Sequence, residues 1–248
     1  MKILFLTKSK PYTIKILQEL VVEKHMVTVV CKSYESFKGS EMDQWCAENG
    51  ISVIENDELY SKENLQKFSH FDLGISNTYG RLIKKPLIDA LKGRIFNIHA
   101  APLPTYKGMF VYNWALYNGE ESWTVTAHYV NEKFDEGPII RTKSFPIDAE
   151  KTSVKELEEC SSKVGYELTM EIVDAFLDGK KPEGFPQKGE GNYYSKKDFE
   201  DLKVISEKDS ANEIRKKVHA CFCPPYEGAY FLKEGEKFFV LTAGLIDK

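Results

Sequence analysis

Asn97 and His99 stand two positions apart at the carboxyl end of a short apolar stretch, Arg94 to Ile98. In an extended strand residues so spaced project from the same side of the chain into one space. An amide there can donate to a developing oxyanion and an imidazole can move a proton, which are the two demands of acyl transfer to nitrogen. Asp135 follows in the segment Asp135-Glu136-Gly137-Pro138. A carboxylate in such a loop can orient the imidazole and stabilise its cation. Residue type alone also admits a plainer account, in which Asn-x-His is a satisfied polar pair at a strand end and Asp-Glu-Gly is a turn.

The elements that must position these residues follow a repeating pattern. Lys2 to Thr7 is a short apolar run, followed by Ile14, Leu17, Val21 and Val22 at helical spacing. Met26 to Cys31 reads as a strand, Glu41 to Asn49 as a helix closed at Asn49-Gly50, and Ile51 to Ile54 as a strand. Leu73 to Ser76 and Ile95 to Ile98 add two more strands with helical spacers. Alternating units of this length predict an α/β fold with a parallel sheet covered by helices on both faces, because parallel strands need crossover connections. In such a sheet ligands bind at the carboxyl ends of the strands, where Asn97 and His99 fall.

After Gly119 two longer strands are predicted, Trp123 to Val130 and Ile139 to Phe145, joined by the loop that holds Asp135. A long helix begins at the capping box Ser153-Val-Lys-Glu156 and carries an apolar stripe of Val154, Leu157, Val164, Leu168, Ile172 and Phe176 as far as Gly179. Lys180 to Gly191, rich in Pro and Gly, reads as a linker. This predicts a domain over 1–183 and a small α+β region over 184–248, with a helix from about Ser210 to Ala220 and strands near Ala229 to Leu232 and Lys237 to Thr242.

Two strings around the polar residues carry more weight than the residues alone. Phe96-Asn-Ile-His-Ala-Ala-Pro-Leu-Pro-Thr-Tyr-Lys-Gly108 and His128-Tyr-Val-Asn-Glu-Lys-Phe-Asp-Glu-Gly-Pro-Ile-Ile140 closely resemble the signature of the folate-dependent formyltransferases. Asn97, His99, Leu103, Pro104 and Gly108 match that family's first block, and Asp135 and Gly137 match its Asp-x-Gly. The resemblance is close from about residue 70 to 145, and over the first 70 residues it is a compatible Rossmann-like pattern. It implies a doubly wound, mostly parallel sheet and an enzyme that uses N10-formyltetrahydrofolate without a metal. It implies further that Asn97 holds the formyl oxygen, that His99 accepts the proton of the attacking amine or polarises the carbonyl, and that Asp135 sets the charge and orientation of His99. The segment Asn77-Thr-Tyr-Gly-Arg-Leu-Ile83 matches a loop that holds the pterin ring. This assigns donor binding to Tyr79, Gly80, Arg81, Leu82 and Ile83, together with Phe134 and Glu136.

For the acceptor, the chain resembles the sugar N-formyltransferases more than the branches that act on tRNA or glycinamide ribonucleotide. The stretch after the linker is short, and Thr7-Lys-Ser-Lys-Pro-Tyr12 replaces a Gly-rich phosphate loop. Gly108 to Trp114, Trp123 to His128 and Pro224 to Tyr230 also look like the sugar branch. This predicts a nucleotide-linked amino sugar as acceptor, most often dTDP-linked, with the amine at C3 or C4. Tyr12, Met109, Tyr193, Tyr194 and Lys196 are its candidate contacts, the tyrosine pair giving a stacking face and Lys196 and Lys197 charge for a diphosphate. A folate hydrolase with the same triad and a non-catalytic nucleotide-sugar binder are the competing functions.

Composition agrees with a globular protein: 42% hydrophobic and 29% charged residues over 248 positions. A net charge of −4 argues against a nucleic-acid partner. No uncharged run nears the roughly 20 residues of a membrane span, and the opening apolar run is too short for a signal peptide, so the chain reads as cytoplasmic. Five cysteines without framework spacing suit reduced thiols, and Cys221-x-Cys223 lacks a second pair for metal. His25, His70 and His128 are taken as structural or surface residues, and Trp45, Trp114 and Trp123 as core or cleft wall. Phe222, Tyr226, Tyr230, Phe231, Phe238 and Phe239 exceed what a small C-terminal region can bury, which predicts a homodimer surface there.

Overall fold

The structure is a computed structural model that describes residues 1–241. Its strands are β1 (Lys2–Thr7), β2 (Met26–Cys31), β3 (Ser52–Glu55), β4 (Leu73–Asn77), β5 (Ile95–His99), β6 (Tyr106–Gly108), β7 (Ser122–Tyr129), β8 (Ile139–Pro146), β9 (Asn192–Tyr194), β10 (Val204–Ile205), β11 (Tyr230–Lys233) and β12 (Glu236–Phe239). Its helices are α1 (Pro11–Val22), α2 (Tyr34–Phe37), α3 (Glu41–Glu48), α4 (Lys62–Phe68), α5 (Lys85–Ala90), α6 (Val111–Asn118), α7 (Val154–Leu177), α8 (Lys196–Lys203) and α9 (Ala211–Cys221). Among the described residues no helix is long and apolar enough to cross a membrane.

Seven strands form one sheet in the order β3-β2-β1-β4-β5-β7-β8. The first five are parallel, and β7 runs antiparallel to β5. This is the mostly parallel, Rossmann-like α/β sheet expected from the alternating pattern. Strand order reverses between β1 and β4, where Thr7 pairs with Asn77, and Asn77 in turn pairs with Ile98 on β5. The register therefore sets the segments that leave β1, β4 and β5 side by side at one edge, the place where such sheets bind ligands.

Ile3, Leu4, Phe5 and Leu6 of β1 are fully buried, as a continuous apolar run covered on both faces should be. Leu4 and Leu6 pack with Leu59, Phe68, Leu87, Leu91 and Ile95 in one cluster. Burial of each such side chain stabilises by about 1.5–3 kcal/mol relative to exposure. The Ser153 capping box forms as read: Ser153 N and Oγ both donate to Glu156 at 2.7 Å, and Glu156 N donates back to Ser153 Oγ at 3.2 Å.

The chain divides into two compact units, but not at a single point. The first comprises 1–99, 125–143 and 162–189, and the second 100–124, 144–161 and 190 onward. The predicted boundary at 183 to 184 thus falls inside a segment of the first unit. Lys180 to Gly191 is no simple tether, since Ile139 and Phe185 exchange both backbone hydrogen bonds at 2.8 Å.

The second unit holds the short β6–β9 pair and a sheet of order β10-β11-β12. Trp123, fully buried, centres one of its cores and donates from Nε1 to the Ala100 carbonyl at 2.8 Å. A second core gathers Phe199, Leu202, Ile205, Val218, Cys221 and Ala229. β6, α6 and α8 were not predicted. β6 is three residues in a Pro- and Gly-containing segment without alternation, and its strand partner β9 lies far away in sequence. The predicted last strand is present as Glu236–Phe239, and Thr242, its predicted end, lies outside the described residues.

Candidate active site

The two residues at the carboxyl end of β5 are held from both sides. β5 lies between β4 and β7, and on β7 Asn97 is paired with His128 and His99 with Thr126. Residues directly opposite on antiparallel strands place their side chains in contact. Asn97 Nδ2 accordingly lies 3.1 Å from His128 Nε2. His128 Nδ1 is 2.8 Å from the Tyr129 carbonyl, which can only accept, so Nδ1 carries a proton. In the neutral ring this leaves Nε2 as the acceptor for Asn97 and fixes which way the Asn97 amide turns.

Asp135 reaches the same place from the loop after β7. The loop closes on itself where Tyr129 N donates to the Pro138 carbonyl at 2.8 Å. Gly137 makes that closure possible: a Cβ on it would stand 1.6 Å from the Tyr129 carbonyl oxygen and 3.2 Å from His128 Nδ1. The Asp-x-Gly spacing therefore has a steric cause. Asp135 itself is in the left-handed region at φ +55, a conformation that Asp tolerates better than most residues. Its Oδ1 comes within 3.5 Å of His99 Nδ1 and 3.8 Å of His128 Nε2.

His99 is 8% exposed, so water screens its pairing with Asp135 poorly. A carboxylate facing Nδ1 can orient the imidazole and stabilise its cation. The site thus combines an amide donor of fixed orientation, an imidazole and an orienting carboxylate, all within the first unit. His128, read from sequence as structural or surface, is a buried member of this group. The cross-strand pairing that brings it there depends on β7 running antiparallel, which spacing along the chain does not reveal.

The other candidate residues fall in several places. Tyr79, Gly80, Arg81, Leu82 and Ile83 follow β4, with Thr78 and Gly80 both at positive φ. Arg81 and Leu82 are exposed, whereas Ile83 is a core residue. Tyr79 is buried and its hydroxyl donates to Asn56 Oδ1 at 2.7 Å; burial raises its pKa well above the ordinary tyrosine range. Only its backbone is left for a ligand. Phe134 and Glu136 flank Asp135, Phe134 exposed and Glu136 half-buried beside Lys133 Nζ at 3.2 Å. Tyr12, in the first turn of α1, donates to Asn77 Oδ1 at 2.8 Å, at the end of β4.

Met109, Tyr193, Tyr194 and Lys196 belong to the second unit. Met109 N donates to the Tyr194 carbonyl at 2.8 Å, extending the β6–β9 pair. The predicted tyrosine stacking face does not form as one surface, because adjacent strand residues point to opposite sides. Tyr193 is 55% exposed, whereas Tyr194 is stacked on Tyr106 (ring centroids 5.4 Å apart) and on Trp114 (4.6 Å). Lys196 is exposed at the start of α8, and Lys197 pairs with Asp201. Gly108, another motif position, is at φ +93, and a Cβ there would lie 2.4 Å from the Tyr194 carbonyl oxygen.

Comparison with known proteins places this geometry in a family. A model of the formyl transferase family matches residues 1–173. The methionyl-tRNA formyltransferase of Pseudothermotoga lettingae is 30% identical over 98% of this chain and 80% of its own length. A 4-N formyltransferase from Francisella tularensis superposes with a TM-score of 0.78 at 22% identity, over 97% of each chain. An N-formyltransferase from Helicobacter canadensis, in complex with folinic acid and dTDP-3-aminofucose, gives 0.73 at 21% identity, over 96% of this chain and 86% of its own. At these identities the likeness to the solved structures is one of fold. The family match over more than half of the chain, together with the relative that aligns along nearly all of it, carries the assignment: the chain belongs to the formyl transferase family and is a formyltransferase.

Proposed function

We propose that this enzyme moves a formyl group from N10-formyltetrahydrofolate to the amine of a dTDP-linked amino-deoxy sugar, either a 4-amino-4,6-dideoxy or a 3-amino-3,6-dideoxy sugar. The observation that carries the chemistry is the convergence of Asn97, His99 and Asp135 at the carboxyl end of β5. The acceptor nitrogen attacks the formyl carbon, and Asn97 Nδ2 donates to the oxygen as it becomes anionic. His99 takes the proton lost by the amine, with Asp135 stabilising the imidazolium. The bond from the formyl carbon to N10 then breaks, N10 recovers a proton, and tetrahydrofolate leaves. The loop Tyr79 to Ile83 and the residues around Phe134 and Glu136 hold the pterin, chiefly through backbone groups.

Support for a sugar acceptor comes from folds matched over 97% and 86% of their own chains, the second of them solved with folinic acid and dTDP-3-aminofucose. Tyr12, Met109, Tyr193 and Lys196 are the proposed acceptor contacts. A relative that aligns over 98% of this chain, a methionyl-tRNA formyltransferase, favours a second acceptor, methionyl-tRNA. Purified enzyme given N10-formyltetrahydrofolate with dTDP-linked 3- and 4-amino sugars, with methionyl-tRNA, or with no acceptor separates the cases. Formylated sugar is the expected product. Formylated tRNA alone, or formate release that ignores acceptor, overturns the sugar assignment.

The protein acts in the cytoplasm as a homodimer. Tyr230 is buried, while Phe238 and Phe239 of β12, the outer strand of its sheet, are 51% and 52% exposed, which supports an interface at that strand. Sedimentation of a Phe238→Ser/Phe239→Ser double variant is expected to give a monomer where the parent gives a dimer.

A further inference from the structure

The segment Pro182–Gln187 is bound along its length to the loop that carries Asp135. The Tyr129 hydroxyl donates to the Pro182 carbonyl at 2.6 Å. Gly184 lies so close to the loop that a Cβ on it would stand 2.8 Å from Tyr129 Cδ2 and 3.0 Å from Pro138 Cβ. Ile139 and Phe185 exchange their backbone hydrogen bonds. These contacts bring Gln187 to the turn. Its Nε2 lies 2.8 Å from the Asp135 carbonyl oxygen and 2.9 Å from that of Gly137. Carbonyl oxygens only accept, so the amide nitrogen rather than its oxygen must face them, and its two protons serve the two carbonyls.

That turn needs outside support. Asp135 sits at φ +55, a conformation that Asp tolerates better than most residues but that still costs energy in a residue with a Cβ. The Asp135 carboxylate, on the same residue, faces His99 Nδ1 at 3.5 Å. A small rotation of the peptide groups on either side of Asp135 would swing the carboxylate away from the imidazole. Gln187 grips the Asp135 carbonyl, which belongs to one of those peptide groups, and ties it to the Gly137 carbonyl two residues further along the turn.

We infer that Gln187 is a positioning residue for Asp135, holding the turn in the conformation that keeps the carboxylate against His99. This rests on the formyl-transfer role given above to Asp135. Gln187→Met keeps side-chain length and removes both donors, and Asp135→Ala removes the group to be positioned. The two changes are made singly and together in the full chain. Transfer from N10-formyltetrahydrofolate to the best acceptor of the panel is followed, with thermal unfolding in parallel.

Gln187→Met is expected to lower kcat roughly 10- to 100-fold, as small misplacements of reacting groups do. KM for donor and acceptor stays unchanged, and no further loss appears in the Asp135→Ala background. Parental kcat in Gln187→Met beside a crippled Asp135→Ala overturns the inference alone, as does an equal loss in both backgrounds. Parental kcat in Asp135→Ala removes the role of Asp135 itself, and the inference with it. Should the Met variant not fold, Gln187→Glu preserves length and polarity without a donor at neutral pH and carries the same comparison.

Discussion

Asn97 and His128 face each other across β5 and β7, with the Asn97 amide nitrogen 3.1 Å from His128 Nε2. One amide proton is thereby committed to the imidazole, and the second can be given to the formyl oxygen. Donors placed for an oxyanion are worth about 3–4 kcal/mol of barrier. Asn97→Ala should therefore lower kcat by roughly 100-fold or more, with donor affinity retained. His128→Leu leaves the amide in place but unanchored, so a smaller loss of roughly 10-fold is expected. Steady-state kinetics on both variants distinguish the roles, and a His128→Leu enzyme with undiminished kcat would show that Asn97 needs no anchor.

Gly137→Ala tests the steric origin of the Asp-x-Gly spacing. The added methyl would overlap the Tyr129 carbonyl, a backbone atom of β7 that cannot swing aside as a side chain end could. The loop must move instead, carrying Asp135 away from His99. A destabilisation of about 1–3 kcal/mol, typical of forced overpacking, is expected from urea unfolding. It should be accompanied by a fall in kcat close to that of Asp135→Ala. Full activity in Gly137→Ala would mean that the loop has room the structure does not show.

The parallel sheet was legible because its strands are apolar on both faces and separated by helical spacers, as in Ile3 to Leu6 and the stretch that follows. Asn97, His99 and Asp135 were legible through the strings around them. Gly137 and Gly108 show why, since each sits where a Cβ would strike a distant carbonyl, so motif spacing records a contact. His128 and Gln187 were not legible as site residues. One reaches the site through antiparallel pairing, the other through a Pro- and Gly-rich segment whose composition reads as a linker. Adjacency of Tyr193 and Tyr194 in sequence suggests one face and hides their opposite directions on β9.

Stability on the acid side should report His25. This residue is buried, and burial is the first cause that holds its pKa below the ordinary value, followed by the positive charge of the Met1 amino group. The carboxylates of Glu23, 3.3 Å away, and of Asp174 act in the opposite direction without cancelling it. The unfolded chain then takes up a proton first as pH falls. The stabilisation is complete above the ordinary histidine value of about 6.5 and is lost progressively below it. Urea unfolding across that window should show a shallower acid-side slope for His25→Gln than for the parent. Equal slopes would assign the pH dependence to other groups.

Tyr193 and Tyr194, neighbours on β9, are predicted to fail in different ways when shortened. Tyr193 is exposed and can offer its ring to a base, a contact worth about 0.5–1.5 kcal/mol. Tyr193→Ala should accordingly raise KM for a dTDP-linked acceptor by roughly 2- to 10-fold, with kcat and unfolding temperature close to parental values. Tyr194 is stacked between Tyr106 and Trp114, so its removal opens a gap in the aromatic packing. Tyr194→Ala should cost about 3–5 kcal/mol of stability if that gap behaves as in other cores, and the loss should appear with or without substrate. A Tyr193→Ala enzyme whose KM is unmoved would take this ring out of the acceptor site and leave Met109 and Lys196 as the proposed contacts on the second unit.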